Sequence, residues 1–198
     1  MSAPIVLASR SIARRAVLEG AGVPIEIADP GVDEDEVKAE MLAKSATPRQ
    51  NAEALAERKA QAASRGRPER VVGADQTLEF EGRLYDKAMT VGEARARLKL
   101  LRGKPHQLHS ALAVAREGRT VWRALETATL VMRPFSDDFL EDYLAREGPS
   151  ALGSVGCYRL EGPGAQLFTD IEGDYFAILG LPLLGLLDFL RQQGALAT

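Results

Sequence analysis

Apolar positions along this chain fall into short runs that read as strands and into helical stripes between them. Ile5–Ala8 is a four-residue apolar run that predicts a buried strand. Ser9 and Ser11 follow as cap residues, and the spacing predicts a helix to about Gly20. Strand, polar turn and helix in that order suit phosphate binding, because a first helical turn offers free N–H groups and a partial positive charge. Ile25–Ile27 predicts a second strand. It leads into Asp29, Asp33, Glu34, Asp35, Glu36 and Glu40, with Lys38 the one cation among them. Thr47-Pro48-Arg49-Gln50 is a capping-box start with proline at the first helical position. In the helix it opens, Ala52, Leu55, Ala56, Ala60 and Ala63 share one stripe, and Lys59 falls on the same stripe. An ammonium there needs an anion or water, unless the side chain snorkels to the stripe's edge.

The stretch Val71-Val72-Gly73-Ala74-Asp75-Gln76-Thr77-Leu78 carries the most chemistry. Val71–Ala74 predicts a buried strand, with Asp75 where that strand leaves the sheet, the usual place for ligands in open α/β sheets. Leu78–Phe80 and Arg83–Tyr85 predict a hairpin across Glu81-Gly82, and Lys87 follows twelve residues after Asp75. Thr90-Val91-Gly92-Glu93 opens a helix ending near Gly103. Leu108–Val114 and Thr120–Leu125 predict a second hairpin across Glu117-Gly118, and Thr127–Met132 a further strand. Ser136 caps a helix to about Glu147, stopped by Gly148-Pro149. After a glycine-punctuated loop, Gly153–Gly164, strands are predicted at Ala165–Asp170 and Tyr175–Leu179, and Pro182 opens a last helix ending before Gly194. This is a mixed α/β (α+β) pattern with hairpins, not the regular alternation of a nicotinamide-binding sheet. Neither G-x-G-x-x-G nor G-x-x-x-x-G-K-[ST] occurs.

Composition narrows the classes further. A length of 198 residues suits a single domain spanning 1–198, with a sizeable core. The 25 basic and 28 acidic residues leave a net charge of −3, with no basic footprint for nucleic acid. The longest uncharged apolar run, Tyr175–Leu187, is broken by Gly180 and Pro182 and falls short of the ~20 residues of a membrane span. Met1-Ser2-Ala3-Pro4 and the run after it show no secretory pattern. Cys157 is the only cysteine, which rules out an intrachain disulfide and points to a reducing cytoplasm. His106 and His109 are too isolated for a zinc site, and His106 is expected to be a local hydrogen-bonding group near a cleft. Trp122 fits the core, its rim or a dimer contact.

Charged residues gather at predicted element ends: Arg14 and Arg15, Glu34, Lys59, Asp75, Lys87 and Glu161. Cations beside phosphate oxygens and carboxylates that hold a divalent ion are the two requirements of phosphoryl hydrolysis. Taken singly, each of these residues fits a solvated helix face or a surface pair equally well; the set as a whole points to phosphate-ester chemistry.

The chain resembles the Maf family of nucleoside triphosphate pyrophosphatases. The resemblance runs through Leu7-Ala8-Ser9-Arg10-Ser11-Ile12-Ala13-Arg14-Arg15, Val32-Asp33-Glu34, Ala56-Glu57-Arg58-Lys59-Ala60, Gly73-Ala74-Asp75-Gln76, the Lys87 region, Leu101-Arg102-Gly103-Lys104-Pro105-His106 and Gly180-Leu181-Pro182-Leu183. It implies a two-lobed fold with a central mixed sheet, an active-site cleft between the lobes, and a homodimer. It further implies cleavage of a nucleoside triphosphate to a monophosphate and pyrophosphate, with a divalent metal cation (Mg or Mn). On that resemblance Asp75 is the general base and Glu34 a second catalytic acid, the two also serving as metal ligands. Ser11, Arg14, Lys59 and Lys87 contact the triphosphate. Ser11-Ile12 and Lys87-Ala88 replace the family's usual Ser-Pro and Lys-Pro, a loss of loop rigidity that leaves the chemistry in place.

Base choice falls to Gln76, Glu161 and Ala13. Gln76 and Glu161 resemble the branch that acts on 7-methyl-GTP, whereas the dTTP- and UTP-preferring branch carries Thr and Gln there. A carboxylate accepts hydrogen bonds only, so it suits guanine's N1–H and N2–H donors. Ala13 departs from that branch, which has Trp at this position to stack on a cationic base. The alternatives are a dTTP/UTP-preferring pyrophosphatase, an ITP- or XTP-preferring hydrolase and a nucleotide-gated regulator of cell division.

Overall fold

The structure is a computed structural model that describes residues 5–197, so the opening Met1-Ser2-Ala3-Pro4 lies outside the described residues. Seven strands and seven α-helices occur among them. The strands are β1 (Ile5–Ala8), β2 (Ile25–Ile27), β3 (Val71–Phe80), β4 (Arg83–Tyr85), β5 (Pro105–Arg116), β6 (Arg119–Met132) and β7 (Phe168–Glu172). One sheet runs in the order β2-β1-β3-β5-β6-β7, with β4 beside β3. β1 is parallel to β2 and β3, and the remaining pairs are antiparallel. This is the expected mixed α/β class.

The helices are α1 (Ile12–Gly20), α2 (Glu34–Ala43), α3 (Pro48–Ala63), α4 (Val91–Leu101), α5 (Asp137–Glu147), α6 (Tyr175–Ile178) and α7 (Leu183–Gln192). Six of the seven start behind a capping side chain, and α7 opens after Pro182 without one. Ser11 Oγ accepts from the Arg14 N–H, and Thr47 and Gln50 close a complete capping box. Both hairpins turn on Glu-Gly pairs in the left-handed region, Glu81-Gly82 and Glu117-Gly118. Such pairs match the twist of the strands they join.

Four predicted strands differ. Asp75 does not end its strand: β5 pairs with β3 without a break from Val71 to Glu79, carrying the strand on to Phe80. Thr127–Met132 is the second half of β6, since β5 pairs across the whole of it. Tyr175–Leu179 is no strand: Asp174 accepts from the Ala177 N–H and opens α6, while the preceding strand starts only at Phe168.

Alternation along the three long strands gives the sheet two different faces. Toward α3 they present Gly73, Ala111, Ala113 and Ala115, and α3 answers with Ala52, Ala56 and Ala60. Small residues on both sides let helix and sheet approach closely. A Cβ on Gly73 would lie 2.2 Å from the Ala56 carbonyl oxygen and 2.4 Å from the Ala60 nitrogen. The opposite face carries two separate apolar cores. Val72, Ala74, Leu112 and Val114 pack with Leu18 of α1 and Leu186 and Leu190 of α7. Leu78, Phe80, Leu108 and Leu130 pack with Leu98 of α4 and Leu140 of α5. Between the cores runs a polar row, Gln76 opposite Ser110 opposite Glu126, so one sheet supports two lobes. Segment 176–181 crosses that row, with Ile178 in one core and Phe176 and Leu181 at the other.

Candidate active site

β3 is flanked along one edge by β5, but its other edge is shared. β1 covers it up to Gly73 and β4 covers it from Leu78. Between them Ala74–Thr77 have no strand neighbour on that side among the described residues. Asp75 therefore lies beyond the carboxyl end of β1, beside an opening in the sheet, where open α/β sheets gather ligands. The turn after β1 supplies Ser9, Ser11 and Arg14 to this opening. The chain after β4 returns alongside it with Asp86 and Lys87.

Arg14 fills the edge of the opening. Its Nη1 donates to the Ala74 carbonyl at 3.0 Å and to Ser9 Oγ at 3.2 Å, and its Nε donates to the Gly180 carbonyl at 2.8 Å. Gly180 has a φ of +92°, a conformation that favours glycine, and a Cβ there would stand a tight 3.3 Å from Arg14 Nε. Nη2 has no protein acceptor among the described residues. On the α3 face, Lys59 Nζ donates to Asp75 Oδ1 at 2.6 Å and meets Glu34 Oε1 at 2.8 Å. Lys59 and Asp75 are 4% and 7% exposed, so the lysine does not snorkel; it is buried against two carboxylates. The close approach at Gly73 is what lets its side chain reach Asp75.

The site's electrostatics follow from this crowding. Burial raises the Asp75 carboxyl above the usual aspartate range, against the opposing pull of Lys59 and Arg14. Burial also works to raise Glu34, but the hydrogen bond from Lys59 and the charges of Lys59, Lys38 and Lys87 outweigh it and hold Glu34 low. Burial, with Arg14 nearby, depresses Lys87, and burial depresses Arg14 despite Asp75 and Glu34. Lys38 lies in the same field. Its Nζ meets Asp86 Oδ1 at 2.7 Å, and that bond with the charges of Asp86, Glu34 and Asp75 outweighs burial and holds its pKa high.

A cleft of about 430 Å³ opens beside Arg14 on the α1 side, lined by Ala13, Val17, Glu161, Phe176, Leu179 and Leu183 among others. Its walls are apolar apart from Glu161. The structure thus gathers the sequence-predicted residues into two adjoining places. Ser11, Arg14, Glu34, Lys59, Asp75 and Lys87 surround the opening, and Ala13 and Glu161 share the cleft. Gln76 joins neither group. It points to the other face of β3, where its amide nitrogen donates to Ser110 Oγ and to the Ala177 and Ile178 carbonyls.

Arg15 turns away to pair with Glu19 on the exposed face of α1. His106 sits in the second core with its Nε2 2.6 Å from the Tyr158 hydroxyl, and burial lowers its pKa to about 4. Cys157 is buried, and Trp122 stacks on Phe189 at the rim of the other core, the one packed under α1 and α7. Two residues went unrecognised in the sequence. Lys38 stands one turn after Glu34, a helical spacing that could have flagged it. Phe176 was hidden by the strand reading of its segment.

Asp75 Oδ1 and Glu34 Oε1 are taken by Lys59, which leaves one further oxygen on each carboxylate without a protein donor among the described residues. No three Asp, Glu, His or Cys side chains form a metal-holding group among those residues. Two carboxylates fit a divalent ion that takes its other ligands from phosphate oxygens and water, as magnesium commonly does.

The sequence model of the family described as Maf-like protein matches residues 4–193. A Caulobacter vibrioides protein named nucleoside triphosphate pyrophosphatase is 60% identical over 195 residues, covering 98% of both chains. A Granulibacter bethesdensis protein of the same name is 54% identical over 195 residues, covering 98% of this chain and 99% of that one. A Brucella abortus protein named 7-methyl-GTP pyrophosphatase is 44% identical over 194 residues, covering 98% of both chains.

Proposed function

This chain belongs to the Maf-like protein family, and from that membership we propose that it hydrolyses nucleoside triphosphates to a monophosphate and pyrophosphate. The observation that carries the reading is the buried Asp75–Lys59 pair, which the exposed Glu34 joins from the surface, beside an open strand edge and ringed by Arg14, Lys38 and Lys87. The names of the Caulobacter and Granulibacter relatives support it.

In this reading Arg14, Lys59 and Lys87 hold the phosphate chain, and Ser11 with the start of α1 contacts it from the turn. Asp75 and Glu34 would hold the divalent ion, which when bound neutralises phosphate charge and orients the phosphates. Asp75 accepts a proton from the attacking water. The oxygen of that water bonds to the α phosphorus, the bridge to the β phosphorus breaks, and pyrophosphate departs with the electron pair. Burial makes Asp75 a stronger base than a solvated aspartate, which suits that task.

The cleft beside Arg14 takes the base. Glu161 accepts from guanine N1–H and N2–H, and a carboxylate also favours the positive charge of a 7-methylated ring. Phe176 gives that cleft the aromatic wall that Ala13 does not, so a cationic base has a face to lie against. The Brucella relative's name supports 7-methyl-GTP as the substrate. The same reading takes the protein as a cytoplasmic homodimer, and the buried, unpaired Cys157 suits a reducing compartment.

Pyrophosphate release from 7-methyl-GTP, GTP, dTTP, UTP and ITP with Mg²⁺ or Mn²⁺ tests both levels of the proposal. The expected result is turnover with kcat/KM for 7-methyl-GTP at least about tenfold above the others. Stoichiometric binding with no product would refute the hydrolase reading. Turnover with a pyrimidine preference would refute the guanine reading alone.

A further inference from the structure

Gln76 follows Asp75 directly yet lies on the opposite face of the sheet, and its bonding shows what it holds. Its amide nitrogen donates to Ser110 Oγ at 2.9 Å, to the Ala177 carbonyl at 3.1 Å and to the Ile178 carbonyl at 3.0 Å. Ser110 Oγ donates to the same Ala177 carbonyl at 2.6 Å. That carbonyl also accepts the Gly180 N–H at 2.8 Å, so three donors converge on one oxygen of α6. A helix of four residues has no stability of its own, and tertiary bonds must set its position. Asp174 caps it, but only Gln76 and Ser110 among these partners tie it to the sheet.

What α6 carries explains why its position matters. Phe176 and Leu179 are walls of the cleft beside Arg14. Gly180, the second residue after α6, offers the carbonyl that holds Arg14 Nε, and Arg14 in turn holds the Ala74 carbonyl next to Asp75. A closed circuit therefore runs from β3 through Gln76 to α6, on to Gly180 and Arg14, and back to β3.

We propose that Gln76 is a positioning residue: with Ser110 it seats α6 so that the base-facing walls and the Arg14 clamp keep one register with Asp75, and it governs base selectivity through α6 without touching the base. The proposal rests on the cleft being the base site. Its distinguishing feature is Ser110, which is wholly buried and lines no part of the cleft, and which must share whatever effect Gln76 has.

The test compares Gln76→Met, Ser110→Ala and the double variant of the full chain, with melting temperature and Trp122 emission reporting that each is folded. Each single variant should raise KM for the preferred nucleotide about tenfold, shrink its preference over the next-best nucleotide by a similar factor, and change kcat less than about threefold. The double variant should add little, because both residues act on one carbonyl. Amide exchange at Ile178–Leu181 should speed by about tenfold in both single variants while the centres of β5 and β6 stay protected. A selectivity change in Gln76→Met that Ser110→Ala does not reproduce would mean Gln76 meets the base itself, and would overturn the proposal. Unchanged exchange at Ile178–Leu181 would overturn it too. Absence of turnover in the unsubstituted protein would instead refute the hydrolase reading, and the exchange measurement would then decide the coupling by itself.

Discussion

Gly73→Ala adds one methyl group at the tightest contact between α3 and the sheet. The new carbon would stand 2.2 Å from the Ala56 carbonyl oxygen, 2.4 Å from the Ala60 nitrogen and 2.9 Å from the Ala60 Cβ. Two of these are helix backbone, so no side chain can rotate out of the way. Carbon and oxygen settle at about 3.3 Å or more, so helix and strand must part by roughly 1 Å, at an overpacking cost of about 1–3 kcal/mol. For a chain of this size that lowers the melting temperature by about 2–12 °C. The functional effect comes from the same displacement. Lys59 rides on α3 and reaches Asp75 at 2.6 Å, and an added 1 Å takes the pair beyond hydrogen-bond range. Misplacement on this scale costs about 10²-fold in rate at a site that depends on orientation. Urea or thermal unfolding with steady-state pyrophosphate release checks both halves. A variant within about 0.5 kcal/mol of the parent and equally active would refute the argument that close helix–strand approach assembles the site.

Three further outcomes follow from the burial and pairing of particular groups. Lys59→Met strands a buried carboxylate at Asp75 and should cost about 3–5 kcal/mol at pH 7; the loss should shrink as acid protonates Asp75, measured by urea unfolding across pH. His106 titrates near 4 when folded and near 6.5 when unfolded, so the unfolded chain binds more protons between those values. Stability should fall by about 3 kcal/mol as pH drops through that window, and His106→Gln should flatten this part of the stability–pH curve. Lys38→Gln removes the bond to Asp86 beside Lys87, and KM should rise about three- to tenfold with kcat nearly unchanged. A KM equal to the parent's would take Lys38 out of the phosphate field.

Local chemistry was the legible part of this sequence. Ser11, Thr47, Thr90 and Ser136 all cap the helices expected of them, because a cap needs only its own neighbours. Lys59 was legible as an exception on an apolar stripe, and its partners are two of the acids picked out as chemistry-bearing. Long-range pairing was not legible. Nothing near Asp75 announces that β5 continues past it, so a strand interior looked like a strand end. The five-residue run Tyr175–Leu179 suits a strand or a short helix equally well, and only Asp174 before it, read as a cap, favours the helix. That misreading hid Phe176 from the cleft and left the partners of Gln76 out of sight.

In the proposed reaction Asp75 is the group that takes the proton from water. Asparagine keeps the shape, and Lys59 keeps Glu34 as a partner, so Asp75→Asn should fold with little change in melting temperature. Its rate of pyrophosphate release at saturating nucleotide and Mg²⁺ or Mn²⁺ is the decisive measurement. A fall of about 10³-fold or more with substrate binding retained is the predicted result. Release within a few-fold of the parent rate would contradict it.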